Sequence, residues 1–524
     1  MNVDNAARIR LEFGGGSRDK RILLMTLSSP FLDTERVFPY LGVLYLLAVA
    51  KSADVPVRFL PDLPMPSGAD APGVYYTDEF RPELVGMYSG FDIVALSCMT
   101  PQGEEAGVVR DRLKAVRPDV KVMIGGPHAS HYTEQCIRKE FDYVMMGDGE
   151  RLFAAILAGD VPTLVARIRP ESTPQTLVFA DRLSQDEMNA LPLPLREPQY
   201  VGRYQYSISG VPGTTLMNSR GCPMSCAFCE NRRTEGRWYS PDHFRREVEQ
   251  ILGLGYLGVM IFDDLFAVSP RRLTPYLDIL RQYHQQDGLV FRCFGHANVI
   301  ARYPELGSLL AEAGCVEIGF GAESASQAIL DTVYKGTKVE DLHRFVDVCA
   351  DAGICVKGFF MVGLPGESHE TFACTRDFVR HYRRKYPEMF DFDLVAFFPY
   401  KGTIIGDAMR LPDGAEIRVG ASVYTNQSFD IRLNENVTWA QVDSGAYGAY
   451  KKKGGMSDVV VHTYDWTARR VLLSPEAIME LKENTLRHSM RYTDASGRHL
   501  ETPMIEGSIG SRTASGNLRS RSNA

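Results

Sequence analysis

At 524 residues the chain is too long for one domain of ordinary size and has room for two or three cores. Its 58 Lys and Arg against 65 Asp and Glu leave a net charge of -7 with no long basic stripe, which argues against a nucleic-acid partner. The start lacks the apolar core of a secretory signal, the run Leu41 to Ala50 is too short to span a bilayer, and the 10 cysteines are diluted, so a cytoplasmic protein with free thiols or a metal site is expected.

GGGS at Gly14 to Ser17 reads as a flexible leader, because no strand precedes it. From 20 to 160, short apolar runs alternate with helical patterns: RILLMTLSS, LGVLYLLAVAKSA, VPVRFLP, DIVALSCM, KVMIGG and FDYVMMG. This predicts βαβ units in an open, Rossmann-like parallel sheet. Ligands of such sheets sit beyond the carboxyl ends of the strands, which brings Ser97 to Thr100, Gly125, Gly126 and His128, and Gly147 to Glu150 to a candidate site. Residues 161–212, punctuated by ALPLPLREP, read as a linker. From 213 to 400 a second α/β series follows: TTLMNSR, GVMIFDD, LVFRCFGH, VEIGFGAES, CVKGFFMVGLPG and DFDLVAFFPY. Its right-handed crossovers predict a partial (βα)6 barrel with reactive groups at the carboxyl ends of the strands.

Residues 401–504 read as an α+β extension that caps the barrel mouth and helps define the substrate. EIRVGASVYT and SDVVVHTYDW are strand-like, a helix starts at Ser474, and KKKGG is a solvated turn. Tyr447, Tyr450, Tyr464 and Trp466 read as packing residues. Residues 505–524 are small and polar and are expected to be a disordered tail.

GCPMSCAFCENR, from Gly221 to Arg232, sets Cys222, Cys226 and Cys229 on one loop, where Gly221 and Pro223 keep the backbone out of a helix. Structural zinc takes four closed ligands, and no Cys or His follows at the usual pairing distance. A four-iron, four-sulfur (4Fe-4S) cluster on three thiolates keeps one iron open to an outside ligand, and an open iron is a catalytic site.

Cys222-Pro-Met-Ser-Cys226-Ala-Phe-Cys229 resembles the cluster motif of the radical S-adenosylmethionine (SAM) enzymes, and the likeness continues through IFDDLF, GFGAESASQAILDTVYKGT and GFFMVGLPGES. DIVALSCMTPQ, IGGPHAS and YVMMGDGE resemble the cobalamin-binding-type domain that precedes the barrel in one large branch of that superfamily. The likeness covers roughly residues 20 to 400.

The resemblance implies that Cys222, Cys226 and Cys229 hold the cluster, and that the open iron chelates the amino and carboxylate groups of SAM before its cleavage to a 5'-deoxyadenosyl radical. Phe228 is expected against the cluster and the adenine, or in the core. Asp263 and Asp264 are expected to accept from the SAM ammonium or to cap the next helix, with only one of the two facing the cavity. Glu323 and Ser324 are expected to bond the ribose and the methionine part; Gly358, Gly363 and Glu367 lie in and after the fifth strand, where the glycines let the chain approach the adenine, or GLPGE is only a strand-to-helix turn. Arg292 and His296 share one side of the third barrel strand, His296 reading as a core histidine. None of the 11 histidines stands in a D-x-H-x-x-G context, and His128 lacks the aspartate, so cobalamin without a histidine ligand is expected.

The expected function is a cobalamin-dependent radical SAM methyltransferase acting on an unactivated carbon, or on phosphorus, of a small biosynthetic intermediate. Flavodoxin or ferredoxin is the expected electron donor. The alternatives are a radical rearrangement, oxidation, ring contraction or sulfur insertion, and a non-catalytic iron-sulfur redox protein. A tRNA methylthiolase is disfavoured by the lack of a second cysteine triad and by the acidic charge.

Overall fold

The computed structural model describes residues 3–16, 19–27, 37, 39–60, 71–231, 233–419 and 421–429, with short paired strands at 492–493 and 499–500. The SDVVVHTYDW strand, the helix from Ser474, its neighbouring aromatics, KKKGG and the 505–524 tail lie outside these residues.

Seven strands form the first sheet: β1 Arg21–Thr26, β2 Val57–Phe59, β3 Gly73–Thr77, β4 Ile93–Ser97, β5 Lys121–Gly125, β6 Tyr143–Gly147 and β7 Leu177–Asp181. All their pairings are parallel, in the order β2-β3-β1-β4-β5-β6-β7. Apolar side chains on both faces, such as Leu23 and Leu24, are buried under helices, as a parallel sheet requires. The chain leaves β1 to one side and resumes with β4 on the other, so a crevice opens at their carboxyl ends.

Three features depart from the sequence expectation. A helix, Val3–Phe13, precedes the glycine run, and its Ile9 and Phe13 are fully buried against the sheet. β3 inserts between β2 and β1; the proline-rich stretch before it obscures the pattern, and its tyrosines are buried with their hydroxyls bonded, Tyr75 donating to the Ala71 carbonyl at 2.7 Å. The 161–212 segment is more than a linker, since Leu177, Val178 and Phe179 of β7 complete the sheet edge. Proline punctuation marks turns there, not a domain boundary.

β8 Ser207–Ile208 and β9 Val211–Leu216 form an antiparallel pair, and β10 Ser219–Arg220 pairs with β11 Arg237–Trp238 to close the base of the cysteine loop. β12 Gly258–Ile261, β13 Val290–Gly295, β14 Cys315–Glu323, β15 Cys355–Val362 and β16 Phe390–Ala396 follow. The second sheet runs β16-β15-β14-β13-β12-β9-β8, with every pairing parallel except that of β8. Alternation separates its faces: Phe320, Val356 and Phe360 pack with the helices, while Arg292, Glu317, Lys357 and Asp393 turn to the other side as buried ion pairs. EIRVGASVYT folds as a hairpin, β17 Ile417–Val419 with β18 Ser422–Tyr424. No helix among the described residues is long and apolar enough to cross a membrane.

Candidate active site

Backbone geometry closes the cysteine loop. Gly221 has φ +96, and a Cβ there would lie 2.6 Å from the Glu235 carbonyl, so only glycine lets the two ends of the loop meet. Thr234 Oγ1 accepts from the Cys222 amide at 2.7 Å, and the Thr234 amide donates to the Cys222 carbonyl at 2.9 Å. Asp264 accepts from the Gly221 amide at 3.1 Å and from Asn231 Nδ2 at 2.9 Å, tying residues on both sides of the cysteines to the end of β12. Between the cysteines, the Ala227 amide donates to Val333, and its carbonyl accepts from Ile405 of the C-terminal segment.

Cys226 is buried, and Cys222 and Cys229 are half-buried. Among the described residues no three His, Cys, Asp or Glu side chains gather tightly enough to hold one metal ion. A 4Fe-4S cluster makes a different demand, one thiolate for each of three irons, and this donor set fits it. Burial pushes all three thiols up, Cys229 to about 12, so iron loading must displace protons.

The adjacent acids divide as alternation requires. Asp263 points inward, accepts from the Asn218 amide and Ser219 Oγ at 2.6 Å each, and is pushed up to about 7 by burial. Asp264 lines the cavity described below. Glu323 is buried at φ +59, a left-handed turn that folds its carboxylate back onto Lys335 Nζ at 2.7 Å. Gly321 leaves the room, since a Cβ there would sit 2.8 Å from that ammonium. Lys335, which sequence reasoning passed over although VYKGT was in view, also lies 5.6 Å from the Phe228 ring centre. Burial works against its charge, but Glu323 and Cys226 more than offset this and hold its pKa above the ordinary lysine value.

The other expected residues are placed as follows. Ser324 Oγ is engaged at the strand end by the Ser326 amide at 3.2 Å and Thr375 Oγ1 at 3.3 Å. Gly358 opens toward Phe360 and Phe320 in the helix layer, away from the lumen. Gly363, with its amide donating to Glu367, forms a tight turn after β15. Arg292 pairs with Glu317 and donates to Tyr206 at 3.0 Å. His296 is bonded through Nδ1 to Asn298 at 2.7 Å, and burial pushes it down to about 3.

A cavity of about 400 Å³ opens where the two sheets face each other. From the first sheet Ser97, Gly125, Gly126, Gly147 and Glu150 line it; from the second, Met217, Asn231, Phe262 and Asp264. Thr100 and His128 are not in its wall. The His128 ring packs against Gly103, where a Cβ would be 2.5 Å from it, and stacks on Tyr132 at 5.1 Å; burial pushes it down to about 4. Gly126 also has a different reason for being glycine than clearance for a ring. At φ +94 its Cβ would lie 2.8 Å from the Cys98 carbonyl, so it shapes the turn itself.

Residues 33–157 match the B12 binding domain family and residues 218–379 the radical SAM superfamily. Those families bring with them cobalamin, and SAM with a 4Fe-4S cluster. An uncharacterized methyltransferase of Pyrococcus horikoshii is 26% identical over 60% of this chain and 68% of its own length. The anaerobic magnesium-protoporphyrin IX monomethyl ester cyclase of Rubrivivax gelatinosus is 23% identical over 62% of this chain and 60% of its own. The solved structure of the radical SAM methyltransferase TsrM from Kitasatospora setae superposes with a TM-score of 0.54 at 17% identity, covering 80% of this chain and 81% of that one. With both domains matched in order, the chain carries a B12-binding domain followed by a radical SAM domain.

Proposed function

We propose that this enzyme methylates an unactivated carbon, or phosphorus, of a small biosynthetic intermediate, in a reducing cytoplasm and with an electron donor such as flavodoxin or ferredoxin. The observation that carries the reading is the shared cavity, whose wall joins the strand ends of the B12-binding sheet to Asn231 and Asp264 beside the cysteine loop. When bound, cobalamin would provide a transferable methyl and the cluster with SAM a hydrogen-abstracting radical. Cys222, Cys226 and Cys229 hold the cluster in this reading. Glu323 and Lys335 present a carboxylate and an ammonium to the oppositely charged amino and carboxylate groups of SAM. The loops at Ser97, Gly125 and Gly147 receive the corrinoid, with no histidine among the described residues of the cavity wall to ligate cobalt.

With substrate supplied, two SAM molecules are consumed per methylated product, one appearing as S-adenosylhomocysteine and one as 5'-deoxyadenosine. Chromatography of the quenched reaction checks this. Product and deoxyadenosine formed by cobalamin-loaded protein with no S-adenosylhomocysteine would discard methyl transfer. That outcome would favour a second reading, a radical reaction without methylation, which the cyclase among the relatives supports.

Glu323→Ala removes a charge-assisted bond of about 1.5–3 kcal/mol and leaves Lys335 buried without its carboxylate, so SAM binding weakens about ten- to a hundredfold while iron content holds. Titration calorimetry on the reconstituted protein reads this directly. An unchanged dissociation constant takes Glu323 out of the site.

A further inference from the structure

The ribbon at the base of the cysteine loop is tied to the first sheet by charge. Arg220 Nη1 donates to Asp148 at 2.8 Å and Nη2 to Glu150 at 2.5 Å, the first acid in the loop that follows β6 and the second at the start of the helix Glu150–Ala158. The same guanidinium donates to the Tyr239 hydroxyl at 3.2 Å and lies 5.6 Å from the ring centre of Tyr45, which lines the cavity. Across the ribbon Arg220 is paired with Arg237, whose Nη1 donates to the other oxygen of Asp148 at 2.6 Å. Asp148 is held in turn by the Leu183 amide at 2.9 Å. Both arginines of this rung therefore end on one carboxylate of the B12-binding domain.

We infer that Arg220 is a positioning residue that sets the cluster loop in register with the corrinoid side of the cavity; the inference rests on the function proposed above. An apolar contact is non-directional and would let the two sheets slide, whereas a guanidinium forked onto two carboxylates is satisfied in one geometry only. Such partly buried pairs add little net stability, so register rather than folding is what they provide. Docking does not depend on Arg220 alone, because Gln185 bonds the Trp238 backbone and Asn189 accepts from the Ser240 amide at 2.7 Å. Arg220 is two residues from Cys222, so a displaced ribbon carries the first cluster ligand with it.

The test compares wild type, Arg220→Met and Arg220→Lys, each full length and reconstituted with iron, sulfide and hydroxocobalamin. Pulsed electron paramagnetic resonance reads the distance between reduced cobalt and the cluster. Iron and cobalt loading should match wild type, and the distance distribution should broaden in Arg220→Met. Methyl transfer should fall about a hundredfold while deoxyadenosine formation persists, since a misplacement of about 1 Å costs this much. Lysine, a single charge without the fork, should restore only part of the narrow distribution. Asp148→Asn, which loosens both arginines at once, should broaden it as well. A wild-type distribution in loaded Arg220→Met or Asp148→Asn overturns the inference, and so does joint loss of iron and cobalt in both, which would make the pair a folding element. A wild-type chain that takes up no cobalt refutes the functional reading, and the inference falls with it.

Discussion

Replacing Cys222, Cys226 or Cys229 by Ala should remove the broad iron-sulfur absorption and abolish SAM cleavage, with the fold intact. The loop does not depend on its sulfurs for shape: Thr234 and Asp264 hold its two ends, and Ala227 is bonded on both sides. In the proposed reading each thiolate would serve a separate iron, so losing one would open a second iron and destabilise the cluster. No neighbour can substitute. Cys293 and Cys315 are buried in the core under the helices, and burial drives Cys293 well above the ordinary thiol range. Cys293→Ala and Cys315→Ala should therefore keep the full iron content. Iron analysis after anaerobic reconstitution separates the cases; full loading in the triple Ala protein would end the cluster assignment, and a half-loaded Cys293→Ala would reveal a second cluster.

Gly42→Phe should abolish cobalamin binding without harming the protein. Gly42 lies in the first turn of the helix Leu41–Ser52, lines the cavity and has no atom within 4 Å of its hypothetical Cβ, so a new ring enters open space. Glycine in a helix costs about 0.5–1 kcal/mol relative to alanine, so the helix itself should lose nothing. The ring instead fills part of a cavity of about 400 Å³. We expect hydroxocobalamin affinity to fall at least about a hundredfold, or roughly 2.7 kcal/mol, by absorption titration, with an unchanged melting temperature of the apoprotein. Gly126→Leu, by contrast, should lower that temperature, because its Cβ meets the Cys98 backbone rather than the cofactor space. Retained cobalamin in a folded Gly42→Phe protein would move the corrinoid site elsewhere.

Much of the architecture was legible because strands buried on both faces write themselves as apolar runs: RILLMT, IVALS and KVMIG became β1, β4 and β5 where expected. β3 and β7 were not, since GVYYT and LVFAD each follow a proline-containing stretch, which signals a turn whether or not a strand follows. In the site, the sequence placed the cysteines on one loop and Glu323 at a strand end, as they lie, whereas Thr100 and His128 were assigned by proximity to a strand end and stand outside the cavity wall, and Gly358 turns to the helix layer. Proximity in sequence does not say which way a side chain turns.

By itself the sequence determined the metal chemistry and the domain order. Ligand number and spacing are local properties, and CxxxCxxC puts three thiols on one loop whatever the rest of the chain does. Only the tertiary structure decided which acid of Asp263 and Asp264 meets the cavity, that Glu323 turns back onto Lys335, and that Arg220 reaches Asp148, 72 residues away in the chain. Those pairings depend on the strand register of two sheets and on one left-handed turn at Glu323, and no short stretch of residues encodes how two sheets come to face each other.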